Sequence, residues 1–330
     1  PRQRGQPDVI RVKTEPSLAL IKYWGKAGGG KNIPATSSLA VSLGGLETVS
    51  EIRVLDPAAD DRVSMNGHQQ QDTKITEFLA ALRQEYPETR KTGFAIDSTN
   101  SFPTAAGLAS SSSGFAALAI GCTRAAGLQL PDSELSRLAR SGSGSAARAV
   151  FGGFTLFPAG ATEAQAILPA SHWPELRIVA VMVSTKAKHI GSRDAMNSTS
   201  LTSPYYQSWC EMSAGLETAA VKALQDRDLA SLGPLMRRSY MSMFGSMLAA
   251  DPAIVYWLPD SLALIRRAEE WRQAGLAVWE TMDAGPQVKM LVTEDQLDQL
   301  LELLGKDFPH LGVITAMPGE GPTVTITEVE

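Results

Sequence analysis

The chain has 330 residues, 44% hydrophobic and 20% charged, which suits a soluble globular protein with room for two cores. Its formal net charge of −5 argues against a general nucleic-acid or membrane-surface binder, so an anionic ligand has to be met by a local cluster of cations. Cys122 and Cys210 lie far apart and the four histidines are scattered, which gives no metal spacing and no disulfide framework and implies a reducing cytoplasm.

Residues 1–7 are polar and read as a frayed start, with no signal peptide and no apolar run fit to span a bilayer anywhere in the chain. Residues 10–12 and 18–23 read as short strands around Glu15-Pro16, followed by a glycine-rich turn over 28–32. Residues 38–43 and 48–55 alternate polar and apolar side chains, the period of half-buried strands. Turn signals at 56–61 and at Asn66-Gly67 precede a helical spacing over 74–86. A strand over 94–98 leads to a small-residue stretch and a helix over 116–126. Another helix is expected from 131 to 140, then a Ser-Gly interruption, a helical return over 146–150, and strands over 154–157 and 177–184. Beyond residue 186 come two long Met-bearing helices, 205–225 and 229–247, whose methionines read as core filler. A helix over 260–274, strands over 277–282 and 288–292, a helix over 295–304 and strands over 313–316 and 323–327 complete the chain. This order implies two α+β domains, 1–185 and 186–330, with a cleft between them.

Four stretches carry chemistry that packing does not explain. Residues 103–115 place Ala-Ala-Gly-Leu-Ala and then Ser110, Ser111, Ser112 and Ser113 where a loop opens onto an apolar helix. Free backbone N–H groups, the positive end of a helix dipole and small side chains make that a phosphate site. It is not a Walker A loop, because no Gly-Lys-Ser/Thr ends it. Residues 19–26, Ala-Leu-Ile-Lys-Tyr-Trp-Gly-Lys, end an apolar strand in Lys22 and Lys26, which can flank a polyanion, with the Tyr23 hydroxyl between them. Residues 141–148 repeat the hydroxyl-rich loop and end in Arg148, which can grip a carboxylate or phosphate bidentately. Residues 281–286 set Asp283 in a tight turn between two apolar strands. A basic run, Lys186-Ala187-Lys188-His189, follows a strand just ahead of Ser192 and Arg193.

Together and in this order, these stretches resemble the mevalonate diphosphate decarboxylases of the GHMP small-molecule kinase superfamily, from residue 19 to about 292. The ALIKYWGK, PTAAGLASS, GSGSA-x-R and MDAGP motifs of that family all stand intact. The resemblance implies a two-domain α+β fold, with an N-terminal domain like ribosomal protein S5 domain 2 and a ferredoxin-like C-terminal domain. It implies ATP as co-substrate on Ala106, Gly107, Leu108, Ala109, Ser110, Ser111 and Ser112, with Ser98 close by, and Mg²⁺ on the ATP phosphates. It implies that Asp283 faces the substrate's tertiary C3 hydroxyl with Lys22 beside it, and that Arg148 and Ser145 hold the carboxylate. Tyr23, Lys26, Ser143, Ser192 and Arg193 would hold its phosphates, and Gly144 would also be part of the substrate site. A homodimer acting on a phosphorylated mevalonate is expected, with no nucleic-acid or membrane partner.

Three positions depart from the family pattern. Ser17 and Thr36 stand where it has asparagine, and Phe244 where it has histidine. These departures leave open the same reaction on the 5-monophosphate. A kinase without decarboxylation and a non-catalytic nucleotide binder stand further off, because the intact Asp283 turn and Arg148 argue against both.

Overall fold

The structure is a computed structural model that describes residues 9–28, 31–55, 59–102, 110–186 and 188–327. The frayed start, most of the 103–115 stretch and parts of the turns at 28–32 and 56–61 therefore lie outside the described residues. In chain order the elements are β1 (Val9–Thr14), β2 (Ser17–Ile21), β3 (Ser38–Gly44), β4 (Thr48–Val54), β5 (Arg62–Met65), β6 (His68–Gln69), α1 (Thr73–Glu85) and β7 (Phe94–Asn100). Next come α2 (Ser110–Ala125), α3 (Asp132–Gly142), a 3-10 turn (Gly144–Ala147), β8 (Phe154–Phe157), β9 (Gln165–Leu168) and β10 (Leu176–Met182). The second half holds α4 (Ser192–Thr202), α5 (Tyr206–Ser213), α6 (Leu216–Gln225), α7 (Leu229–Leu248), α8 (Pro259–Gln273), β11 (Trp279–Met282), β12 (Val288–Thr293), α9 (Glu294–Asp307), β13 (Gly312–Pro318) and β14 (Thr323–Thr327).

Two sheets organise these elements. The first runs β14-β1-β4-β7-β5-β6, and the second β11-β12-β10-β13-β3-β8-β9 with β2 added on β3. The last strand returns to the first, Val9 pairing with Thr327 and Lys13 with Thr323. Met317 and Pro318 of β13 pair with Gly44 and Leu43 of β3, so the second sheet runs through both halves of the chain. The α+β expectation with a cleft between halves holds.

Side-chain size sets how close the layers come. Helix α2 lays Ala116, Ala117, Ala119 and Gly121 against β1 and β4, where a Cβ on Gly121 would meet Ile52 Cδ1 at 2.3 Å. Ile10, Val12, Ile52, Phe78, Phe94 and Phe115 fill that core, each fully buried side chain contributing about 1.5–3 kcal/mol. In the second half α7 lies against both β2 and β11. Gly233 permits this, since a Cβ there would sit 2.0 Å from the Trp279 ring. One helix thus braces the strands that present Lys22 and Asp283.

Several expectations change. The helix predicted over 205–225 is two, α5 and α6, broken at Gly215, whose φ of 84° is left-handed. The serines expected in a loop belong to α2, which starts at Ser110. Residues 144–147 form a tight 3-10 turn, not the start of a helix. Strands β5, β6 and β9 and helix α4 have no clear pattern to announce them.

Candidate active site

A cavity of about 410 Å³ opens between the halves of the molecule. It brings together Lys22, Tyr23 and Lys26 from the end of β2, Ser110 and Ser111 from the start of α2, and Ser143, Gly144, Ser145 and Arg148 from the turn after α3. Ser192 and Arg193 of α4 and Asp283 of the β11–β12 turn complete its wall. Among the described residues six cations line it: Lys22, Lys26, Lys74, Arg148, Lys188 and Arg193. Asp283 is the only acid among the described lining residues. In a chain whose overall charge is negative, such a cluster draws a polyanion to the cavity.

Each side chain has a local reason for its place. The fully buried β2 ends at Lys22, whose N–H donates to Ser239 Oγ of α7 at 2.8 Å. Lys22 is 1% exposed, and its Nζ donates to Ala19 O at 2.5 Å and to Asp283 Oδ1 at 2.7 Å. Burial pushes its ammonium down to about 8, against the pull of Asp283. The other carboxylate oxygen, Asp283 Oδ2, accepts from Lys289 Nζ at 3.2 Å. The two lysines outweigh burial and hold Asp283 well below the usual carboxylate range. The Tyr23 hydroxyl is buried with no partner among the described residues, and burial pushes it up to about 12, so it remains a neutral donor. Gly144 makes room for that ring, since a Cβ there would lie 2.9 Å from the Tyr23 hydroxyl.

Arg148 is 3% exposed and its hydrogen bonds go to hydroxyls, while the Asp283 carboxylate attracts it through space without a contact. Its Nη1 donates to Ser38 Oγ at 2.7 Å and its Nε to Ser17 Oγ at 3.3 Å. Burial pushes it down to about 10, and it stays charged at neutral pH. Ser143 and Ser145 hydroxyls lie 3.2 Å apart, with Ser111 3.4 Å from Ser143. Lys188 donates to Ser192 Oγ at 2.7 Å and to Ala284 O at 3.0 Å, and burial pushes it down to about 8. Arg193 donates to Gly142 O at 3.2 Å. The N-termini of α2 and α4 both open at this wall, where the positive ends of their dipoles favour anions.

Two predicted residues sit elsewhere. The Ser98 hydroxyl is buried 2.7 Å from that of Ser50, and Ser112 Oγ accepts from Ser17 N at 3.2 Å. Ala106, Gly107, Leu108 and Ala109 lie outside the described residues. Sequence reasoning misses Lys74, Asn32 and Lys289. Of these, Lys289 alone leaves a signal, as a lysine inside an otherwise apolar strand. The departures have structural places. Thr36 Oγ1 accepts from Trp24 N at 3.1 Å, pinning the strand end, and Phe244 is fully buried, stacked 5.0 Å from Trp257.

Residues 14–168 match the family model of the diphosphomevalonate decarboxylase-like N-terminal domain, and residues 178–325 that of the mevalonate 5-diphosphate decarboxylase C-terminal domain. The diphosphomevalonate decarboxylase of Candida albicans is 34% identical over 334 residues, covering 95% of this chain and 92% of that protein. Among solved structures, a complex described as MDDEF with MVAPP, AMPPCP and magnesium superposes with a TM-score of 0.90 at 34% identity, over 97% of this chain and 99% of that one. The mevalonate diphosphate decarboxylase of Enterococcus faecalis gives 0.89 at 35% identity, with the same coverage of 97% and 99%. With both halves matched, the relatives covered nearly end to end and the cationic cleft in place, the chain belongs to the diphosphomevalonate decarboxylase family, on the GHMP kinase fold.

Proposed function

We propose that this chain catalyses the ATP-dependent decarboxylation of (R)-mevalonate 5-diphosphate to isopentenyl diphosphate, releasing ADP, phosphate and CO₂, in the mevalonate pathway. The observation that carries the reading is one ionised carboxylate, Asp283, held by Lys22 in a cavity whose other charged groups, among the described residues, are cations. In this reading Asp283 accepts the hydrogen bond of the tertiary C3 hydroxyl, with Lys22 beside it. Arg148 and Ser145 take the substrate carboxylate. Tyr23, Lys26, Ser143, Gly144, Ser192 and Arg193 hold the diphosphate, and the unpartnered Tyr23 hydroxyl supports that placement. ATP lies along residues 106–111, and Lys74 and Lys188 reach its phosphates.

The hydroxyl oxygen bonds to the γ-phosphorus as the bond from that phosphorus to ADP breaks. The C3–O bond then breaks, phosphate leaves with the electron pair, and the electrons of the bond to the carboxylate become the alkene as CO₂ departs. Asp283 is too acidic to strip an alcohol in the ground state. It orients the hydroxyl, takes its proton late and faces the positive charge that grows at C3. No group of three His, Cys, Asp or Glu suited to an ion occurs among the described residues. A Mg²⁺ carried by the nucleotide phosphates would find oxygen ligands in the Ser110 and Ser111 hydroxyls at the start of α2, and when bound it would neutralise phosphate charge.

The test is a substrate panel with CO₂, ADP and phosphate measured together. Equal amounts of all three from the diphosphate support the reading. A strong preference in kcat/KM for the monophosphate, or a phosphorylated acid without CO₂, rejects it. By the same reading the chain divides into domains 1–185 and 186–330 and acts in the cytoplasm as a homodimer; its free thiols support the compartment, and the exposed Leu201, Tyr205 and Val255 the dimer.

The lysines also set a pH dependence. Because burial lowers Lys22 to about 8, kcat should fall as pH rises through that value and its ammonium is lost. Deprotonation of Lys188, also near 8, should raise the KM for ATP over the same range. The sign for folding is opposite. Lys22 binds its proton more weakly folded than unfolded, so its contribution to stability grows from about pH 8 to 10.5. Initial rates and thermal melts across this range check both; an alkaline activity loss that tracks unfolding contradicts the assignment.

A further inference from the structure

Asp283 is gripped from two sides, and only one of them faces the cavity. Lys22 reaches Oδ1 from the cavity wall, whereas Lys289 reaches Oδ2 from the buried strand β12 and does not line the cavity. Lys289 is 2% exposed, in a strand whose other residues are apolar up to Thr293. Burying an ammonium costs several kcal/mol, a cost that an apolar residue of the same length would avoid. Mere packing therefore does not account for a lysine there. Its strand partners across the ladder, Thr281 and Ala180, carry no charge. The charged groups gathered around the carboxylate are Lys22 from the end of β2, Lys289 from β12, Lys188 from the segment before α4, and Arg148 from the turn after α3.

We propose that Lys289 is a positioning residue for the decarboxylation: it fixes the second oxygen of Asp283, so that the carboxylate holds one orientation and stays an anion while the first oxygen and the cavity-facing lone pairs serve Lys22 and the substrate. The inference rests on the decarboxylase reading above. Lys289 touches no substrate, so its loss acts on turnover and not on binding. Without it Asp283 keeps one contacting cation instead of two, and its protonation moves up toward that of an ordinary carboxylic acid.

The test compares Lys289→Met with Lys289→Arg in the full chain, measuring kcat, the KM for both substrates and the pH–rate profile. For the methionine variant kcat should fall on the order of 10- to 100-fold, with both KM values little changed. An acidic limb should appear near about pH 4, where the wild-type profile is still flat; the arginine variant keeps the wild-type limb. A methionine profile with the wild-type limb overturns the proposal, even if kcat falls, because packing alone then explains the loss. Should the methionine variant not fold, Lys289→Gln, neutral with a polar tip, takes its place under the same criterion. A wild-type chain that turns over the diphosphate while the variant limb stays put refutes only this inference; a wild-type chain without turnover refutes the decarboxylase reading and this one together.

Discussion

Asp283→Asn is expected to lower turnover by about 10³-fold or more while ATP binding stays close to wild type. The amide has the shape of the carboxylate but no charge, so it cannot oppose positive charge at C3 or take the hydroxyl proton. ATP binding is spared because Asp283 is assigned to the substrate hydroxyl and not to the nucleotide. The variant also changes the folded state. It leaves Lys22 and Lys289, 1% and 2% exposed, without their shared anion. Breaking a buried pair from one side costs about 3–5 kcal/mol. Lys22, already near 8, can shed its proton and reduce that cost. The variant should therefore be less stable than wild type near neutral pH and recover as pH rises, since its folded state binds fewer protons than its unfolded one. Single-turnover assays of CO₂ and ADP, titration with a fluorescent ATP analogue and melts at several pH values check these points. Residual turnover within about tenfold of wild type would remove Asp283 from its assigned role.

Much of this site is legible in the chain because its residues stand in short contiguous runs. Lys22, Tyr23 and Lys26 stand out as a polar end to an apolar strand, and Arg148 as a cation closing a hydroxyl loop. What the runs do not encode is direction. The four serines 110–113 look equivalent in sequence, but they wind into the first turn of α2 and divide. Ser110 and Ser111 face the cavity, whereas Ser112 Oγ accepts from Ser17 N and Ser113 Oγ lies 2.6 Å from Thr48 Oγ1 in the layer beneath. A helix turns about 100° per residue, so neighbouring hydroxyls cannot all serve one ligand. The break at Gly215 is hidden for a related reason. Apolar spacing runs on through both α5 and α6, and only the left-handed backbone at Gly215 turns the second helix so that Ala220 and Leu224 are buried. Ser17, Ser38 and Ser239 escape sequence reasoning because each acts on a partner more than a hundred residues away, on Arg148 or Lys22. The three departures from the family pattern pose one question about substrate when read in sequence. In the structure they separate: Ser17 supports Arg148, Thr36 pins the strand beneath Trp24, and Phe244 belongs to the core.

Arg148→Met is expected to act on activity and stability in opposite directions. The guanidinium is 3% exposed, and its named partners, Ser17 and Ser38, are neutral hydroxyls. Two hydroxyls orient a cation but do not repay its removal from water. The free protein therefore holds a buried charge that, on the proposed assignment, the substrate carboxylate completes. Losing that grip removes charge-assisted bonds together worth about 3–4 kcal/mol, so kcat/KM should fall about 10²- to 10³-fold. The same change replaces a poorly solvated cation by an apolar side chain. Stability without ligand should rise by about 1–3 kcal/mol, several degrees in Tm. The substrate-induced rise in Tm, large in wild type because ligand binds only the folded chain, should shrink with it. Melting curves with and without mevalonate 5-diphosphate, set beside kcat/KM, separate these effects. A variant that loses both activity and stability would mean that Arg148 holds the turn after α3 together; one that gains stability while losing its response to substrate places the guanidinium in wait for a carboxylate.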